Sequence, residues 1–204
     1  TVVVENRAAR NLLRYAIMPL NGMLLQQERS FWQGKKGQTV ASKVFTLVDD
    51  PHVPAGFGSR LYDGDGIAAR KRDLFRNGVL QDYLINVYYG RKLDLAPTGG
   101  STSNLRLSPG TQDRDALIAA VKDGIYVTGF QGGNSDSTRG DFSHGVSGFA
   151  IRDGQLAEPV GEMNLSGNHL ALWLQLAAVG SDPYLYGSMQ TPTLVFEDLM
   201  VSGS

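Results

Sequence analysis

The sequence contains no cysteine among its 204 residues. Disulfide bonds, thiolate metal ligands and a cysteine nucleophile are therefore excluded for this chain. It also lacks a strong charge of either sign, because the formal net charge is −1, so no long-range field favours nucleic acid or an anionic membrane. No apolar run is long enough to span a bilayer. These absences favour a globular, cytoplasmic protein with no membrane and no nucleic-acid partner.

Glycine, in contrast, is abundant, with 25 residues, and frequent glycines are typical of many short strands. Two hairpins are predicted from strong turn signals. Asn77-Gly78 joins two short apolar runs, and Asp153-Gly154 joins a strand over 141–151 to one over 156–163. Shorter strands are predicted at residues 2–4, 45–48, 125–127 and 193–201, and the polar stretch 129–140 is predicted to be a mobile loop.

Apolar residues at helical spacing predict three helices, near residues 6–27, 112–123 and 168–179. In the first helix, Pro19 is expected to cause a kink or an end. No repeat or linker divides the chain, so residues 1–204 are expected to form one α+β domain with antiparallel sheets built from hairpins. Because the chain begins inside an apolar strand, which needs neighbours to pair with, a segment before Thr1 is expected to be missing.

Two polar clusters invite a chemical interpretation, and each also has a simpler one. Asp49, Asp50 and His52 are predicted to form a turn that Asx side chains begin before a proline, with a metal site as the alternative. Ser143 and His144 are neighbours in a predicted strand. Their side chains should point to opposite faces of the sheet, so they cannot act on each other as nucleophile and base.

Two further features are weighed in the same way. The cluster 70–72, Arg-Lys-Arg, is predicted to be a solvated strand edge, where charge discourages edge-to-edge pairing, with the binding of acidic groups as the alternative. The adjacent aromatics Phe31 and Trp32 are predicted to lie over an edge of the core, with a partner surface as the alternative.

Segments along nearly the whole chain resemble, in order, the C-terminal half of the TldD/PmbA (TldE) family, once called modulators of DNA gyrase. The matching segments are Ser30-Phe31 with Gly34-Lys35 and Gly37, Val48-Asp49-Asp50-Pro51, Gly58-Ser59-Arg60 with Asp63 and Asp65-Gly66, Asn77-Gly78-Val79-Leu80, Gly90-Arg91-Lys92-Leu93, Gly124-Ile125-Tyr126-Val127, residues 140–148, Gly167-Asn168 and Pro192-Thr193-Leu194. No single segment is diagnostic, but the series is fairly specific. The resemblance implies that family's α+β fold and an N-terminal domain that this sequence does not include.

Active members of the family are zinc metallopeptidases that carry an H-E-x-x-x-H motif on the helix equivalent to the first one here, with a cysteine as third ligand. At the aligned positions this chain has Arg14, Tyr15 and Pro19. A catalytic zinc needs about three protein ligands, whereas a guanidinium repels the ion and proline offers no side-chain ligand atom. The three histidines are widely separated in the sequence and are expected to be structural or surface residues. No metal and no catalytic residue is therefore expected in this chain.

The lost motif resembles the PmbA/TldE branch of the family. That resemblance implies a non-catalytic subunit that forms a heterodimer with a zinc-bearing, TldD-like metallopeptidase and helps it to cleave or mature unfolded peptides. Zinc is then expected in the partner, and no cofactor in this chain. Two alternatives stay open. One is a stand-alone or self-associating peptide-binding or structural protein, and the other is a self-sufficient metallopeptidase that uses Asp49, Asp50 and His52.

Family members are thought to hold the bound peptide as an added β-strand, which suits a sheet-rich domain with glycine-lined edges. The strand that begins near residue 140 is the place where such contacts are expected, together with the preceding loop at 129–139. The candidate peptide-binding residues are Asp141, Phe142, Ser143, Gly145 and Ser147.

Overall fold

The structure is a computed structural model that describes residues 1–203. The strands are β1 (Val2–Val4), β2 (Leu47–Asp49), β3 (Arg72–Arg76), β4 (Val79–Leu80), β5 (Leu105–Leu107), β6 (Asp123–Ser135), β7 (Asp141–Arg152), β8 (Gln155–Asn168), β9 (Leu176–Val179), β10 (Met189–Gln190), β11 (Leu194–Phe196) and β12 (Met200–Ser202). The α-helices are α1 (Asn6–Ile17), α2 (Gly22–Gln26), α3 (Val87–Leu93), α4 (Arg114–Ala119) and α5 (His169–Leu172). No helix in residues 1–203 is long and apolar enough to cross a membrane.

The strands form two sheets. Seven lie in the order β12-β8-β7-β6-β1-β11-β9, and five lie in the order β10-β5-β2-β3-β4. Most neighbours are antiparallel, but β1 runs parallel to β6 and β10 runs parallel to β5. Parallel partners cannot be joined by a tight hairpin, and both pairs indeed join segments that are distant in the sequence. The α+β class is confirmed, with mixed rather than purely antiparallel sheets.

Strand β1 shows why an unbroken valine run forms a central strand. It is hydrogen-bonded between β6 and β11, and all three of its valines are buried. Val2 and Val4 face the main core, which the two sheets and α1 share, whereas Val3 faces a smaller core beneath α4. A strand buried on both faces needs apolar residues at every position rather than in alternation.

Both predicted hairpins are confirmed. Asn77 and Gly78 have φ angles of 49° and 79°, and Asp153 and Gly154 have 46° and 78°. Positive φ at both central residues is what a type I′ turn requires, and its twist matches that of the flanking strands. The second hairpin is the larger, because β6, β7 and β8 together form a long three-stranded ribbon.

The helix predictions need correction. The first predicted helix is divided into two. Helix α1 ends at Ile17, and a 3-10 turn covers Met18–Leu20. Helix α2 then begins after Asn21, whose side chain accepts a hydrogen bond from the Met23 N–H at 2.8 Å. The second is shorter than predicted, because β6 already begins at Asp123. The third, predicted at 168–179, is wrong. Only the single turn α5 is helical, and β9 then pairs with β11.

The predicted loop at 129–140 is also wrong. Strand β6 runs to Ser135, and irregularities of register near Gly129 and between Gln131 and Asn134 accommodate its glycines. Such bulges keep a long strand paired where regular alternation fails. Helix α3 was not predicted, and the predicted last strand, 193–201, is two separate strands, β11 and β12.

Candidate functional site at the end of the first helix

The three positions of the lost motif do not converge. Arg14 is exposed on α1, and Tyr15 is half-buried with its ring centroid 4.9 Å from that of His144. Pro19 lies past the end of α1, in the 3-10 turn, where it is buried and its carbonyl accepts a hydrogen bond from Ser30 Oγ at 2.6 Å. Side chains that diverge in this way cannot share one ligand.

The adjacent aromatics of the following loop hold this helix end in place. Trp32 is fully buried, and its indole Nε1 donates to the Ala16 carbonyl at 2.7 Å. That carbonyl belongs to the last turn of α1, where no backbone partner within the helix is available. Phe31 is buried beside the tryptophan. The prediction that both rings lie over the core is therefore confirmed.

Two histidines that are distant in the sequence meet next to Tyr15. His144 lies on β7 and His169 begins α5, and both are buried, whereas His52 is exposed in a loop. The centroid of the His169 ring lies 5.8 Å from that of Tyr15 and 4.8 Å from that of Phe142. The expectation of structural or surface histidines agrees with these positions, but the sequence did not predict that His144 and His169 lie near each other. Strand alternation places His144 on the buried face, but the wrong helix at 168–179 hid the position of His169.

Both buried histidines are neutral near pH 7. Burial, with a smaller contribution from the nearby His144, lowers the pKa of His169 to about 4. Burial also lowers the pKa of His144. Ser135 Oγ lies 2.9 Å from Nε2 of His169, while Nδ1 of His169 and Nε2 of His144 have no hydrogen-bond partner within residues 1–203. The pair therefore acts as an aromatic, uncharged part of the core.

The residues at this site do not fit a catalytic zinc ion. Within residues 1–203, no group of three or more histidine, cysteine, aspartate or glutamate side chains could hold a metal. The buried histidine pair offers two ring nitrogens, packed among aromatic rings, while a peptidase zinc takes about three protein ligands and keeps one position open for water. In addition, the position of the first motif ligand carries a permanent positive charge, that of Arg14.

The alternative metal set of Asp49, Asp50 and His52 does not form a site. The carboxylate of Asp49 is buried and accepts hydrogen bonds from the N–H and the hydroxyl of Ser103 and from the Arg72 guanidinium. Asp50 Oδ1 accepts the His52 backbone N–H at 3.0 Å, which is the predicted Asx turn. Each carboxylate is therefore occupied by protein donors, and no metal ligation remains for the trio.

The basic cluster at 70–72 also needs correction at one position. Arg72 is a partly buried structural residue, with 14% of its side chain exposed, and not part of a solvated edge. Its guanidinium lies 3.1 Å from Asp49 Oδ2 and also donates to the carbonyl oxygens of residues 98, 99 and 101. It thereby ties the loop 98–103 to strands β2 and β3.

The candidate peptide-binding residues all lie on β7, but not on one face. Asp141, Ser143, Gly145 and Ser147 alternate along the outer face of the ribbon, while Phe142 points inward and is buried. Their outer-face neighbours are polar as well: the Asn164 and Asn168 amides donate to Ser143 and Asp141, each at 2.8 Å. Because β7 is paired with β6 on one side and β8 on the other, its backbone cannot accept an added strand.

A groove lies beside the end of α1 and the start of α2, and Arg14 is one of its lining residues. It encloses about 470 Å³ and is lined by Ile17, Met18, Met23, Leu84 and Met189, among other residues, and by the loop 100–102. We refer to it as the Arg14 groove. Its volume lies within the range of about 300–1,000 Å³ that is typical of small-ligand pockets.

Comparison with known proteins gives consistent matches. A family model described as the PmbA/TldA metallopeptidase C-terminal domain matches residues 1–203. A metalloprotease from Methanothermobacter thermautotrophicus is 37% identical over 171 residues, which cover 78% of this chain and 37% of that protein. Metalloprotease PmbA from Escherichia coli O157:H7 is 25% identical over 204 residues, which cover 99% of this chain and 45% of that protein.

Two solved structures match along almost all of this chain. A candidate modulator of DNA gyrase from Bacteroides thetaiotaomicron gives a TM-score of 0.98 at 44% identity and covers 100% of this chain and 46% of its own. TldE from Thermococcus kodakarensis gives a TM-score of 0.90 at 24% identity, covering 99% and 50%, and at that identity shows the shared fold alone. The chain spans less than half the length of the curated relatives named above.

Proposed function

The chain belongs to the PmbA/TldD metallopeptidase family, and from this premise we propose that it is a non-catalytic, PmbA/TldE-like subunit that supports a zinc-bearing partner. The observation that carries the proposal is the divergence of the lost-motif side chains: an exposed Arg14, a Tyr15 packed against His144, and a buried Pro19. A subunit with this helix end has no means of activating water on zinc. The chemistry then belongs to a TldD-like subunit, and the pair forms a heterodimer.

The substrate class in this proposal is an unfolded peptide that is cleaved or matured by the complex. The outer face of β7 supplies Asp141, Ser143, Gly145 and Ser147 as candidate contacts. Since the β7 backbone is already paired on both sides, the side chains of Asp141, Ser143 and Ser147 contact a peptide that lies across the face. Gly145, which has no side chain, lets that peptide approach the sheet closely. Phe142 supports them from the inner face of the sheet. The cytoplasm is the proposed compartment, and the near-zero net charge gives no reason to propose direct action on DNA.

Co-purification tests the proposal. The chain is tagged at its C-terminus and expressed in its source cell, and proteins present in stoichiometric amount are identified by mass spectrometry. An unrelated protein with the same tag is the control. A relative that carries H-E-x-x-x-H should be captured with this chain and not with the control. Capture of a second copy of the chain alone would contradict the heterodimer and support the self-associating alternative.

A further inference from the structure

The Arg14 groove has an unusual charge distribution. Among the described residues, Arg14 is the one charged residue that lines it, and no aspartate or glutamate does. Within residues 1–203, the Arg14 guanidinium makes no hydrogen bond and no ion pair, whereas Arg7 of the same helix pairs with Glu5 and Arg10 lies over the Tyr184 ring. An arginine that faces apolar walls without a protein partner is suited to a carboxylate from a ligand, which it can hold through two parallel hydrogen bonds.

The walls of the groove favour an apolar group beside that carboxylate. Three of the lining residues are methionines, Met18, Met23 and Met189, and the first two are 49% and 42% exposed. Methionine is flexible and polarizable, so it adapts to side chains of different shape. Exposed apolar side chains that form one continuous groove are typical of a binding site rather than of an ordinary surface.

Polar donors lie at the edge of the same groove. The Asn21 side chain uses its oxygen to cap α2, so its amide N–H groups remain available to a ligand. The backbone N–H groups of residues 100–102 make no hydrogen bond within the described residues. Carboxylates accept up to about four hydrogen bonds, and these donors can add to the pair that Arg14 supplies.

We propose that the Arg14 groove binds the C-terminal end of a peptide, with Arg14 holding the terminal carboxylate and the methionine wall holding an apolar last side chain. The groove is open along its length, so the rest of the peptide can extend away from it. The inference rests on the proposed function only in naming a peptide as the source of the carboxylate. In this proposal Arg14 contributes to substrate binding rather than to metal binding.

Fluorescence anisotropy on the purified chain, without any partner, tests this inference. The probe is a pentapeptide that ends in two leucines, labelled at its N-terminus and made both as the free acid and as the C-terminal amide. The variants are Arg14→Gln and, as a control with the same loss of charge on the same helix, Arg7→Gln. Met18→Ala tests the wall, and Met200→Ala, which changes an exposed methionine elsewhere, is its control.

The free acid should bind saturably to the wild type and to Arg7→Gln, and the amide should bind about tenfold more weakly or worse, as expected when a charged hydrogen-bonded pair is lost. Arg14→Gln should weaken the free acid by a similar factor and remove the difference between acid and amide. Equal binding of acid and amide, or equal effects of the two arginine variants, would overturn the inference. N-acetyl-leucine competing as strongly as the peptide would overturn the peptide source. Because no partner is present, a failure here leaves the co-purification result untouched.

Discussion

Replacement of His169 by phenylalanine should change how the stability of the protein depends on pH. His169 is fully buried between the Phe31, Phe142 and Tyr15 rings, and its polar contact is with Ser135. Phenylalanine keeps the aromatic packing and removes the titrating group. The variant loses one hydrogen bond, which should cost about 1 kcal/mol near pH 7.

The magnitude follows from the pKa values of the imidazole in the two states. An unfolded chain binds this proton with a pKa of 6.5, and burial lowers the value in the folded chain to about 4. The unfolded state therefore binds more protons across that window, and stability falls as the pH falls from 6.5 towards 4. At about 1.4 kcal/mol for each pKa unit, the whole loss is about 3 kcal/mol, and about 2.5 kcal/mol of it is reached by pH 4.5.

Urea unfolding, followed by the fluorescence of the two buried tryptophans, measures the free energy of unfolding at intervals from about pH 7.5 to about pH 4.5. Carboxylates titrate equally in both proteins, so the difference between them isolates His169. The variant should be the less stable protein near neutrality and the more stable one near pH 4.5. His52→Asn, at an exposed loop histidine, should follow the wild type throughout. Parallel loss of stability in wild type and His169→Phe would refute the account of the buried histidine.

Two further changes test the contacts that shape the fold, each against a matched control. Asp49→Asn should destabilise the protein by about 3 kcal/mol in chemical unfolding, because it leaves the largely buried Arg72 without its carboxylate. Its control, Asp123→Asn, breaks the pair with Arg152, in which both side chains are exposed, and should cost less than about 1 kcal/mol. Equal costs would contradict the role given to Asp49. Gly148→Ala would place a Cβ 1.8 Å from the Tyr126 carbonyl oxygen, so it should destabilise the protein by about 3 kcal/mol and lower its melting temperature. The control variant Gly161→Ala adds a Cβ that meets no atom within 4 Å, so its melting temperature should stay close to that of the wild type. Similar melting temperatures for the two variants would contradict the close approach of β6 and β7.

Patterns of neighbouring residues were sufficient to predict those elements that depend on contacts between residues close in the sequence. The Asn77-Gly78 and Asp153-Gly154 turns were predictable because both central residues tolerate positive φ. The apolar face of α1 was predictable from its spacing, and the α+β class followed from these elements. Each of these features depends on residues that are close in the sequence.

Elements decided by distant partners were not predictable. Helical spacing relates Leu170, Trp173, Leu174 and Ala177. In the structure no helix forms over this whole stretch: β9 pairs with β11, and Leu174 is 56% exposed. Pairing with a neighbouring strand outweighed the local helical pattern. In the same way, the glycines of 129–133 suggested a loop, but β7 pairs with this stretch on one side and extends β6 to Ser135.

The sequence predicted one part of the candidate site, the lost-motif positions, but not the contact between Tyr15 and the two histidines. The expectation that Arg14 and Pro19 do not bind zinc came from aligning the first helix with the family's motif. The meeting of Tyr15, His144 and His169 needed the tertiary structure, because it joins α1, β7 and α5. The choice of β7 for peptide contacts mixed its two faces, because alternation was not applied to Phe142.

Metal content and peptidase activity, measured together, test the central claim most directly. The purified chain is exposed to zinc, passed through a desalting column and analysed by inductively coupled plasma mass spectrometry, and the same sample is assayed on an unfolded peptide with and without a chelator. A TldD-like relative that carries H-E-x-x-x-H is the positive control. The account predicts no stoichiometric zinc and no chelator-sensitive cleavage by this chain alone. One zinc ion per chain together with chelator-sensitive cleavage would contradict it.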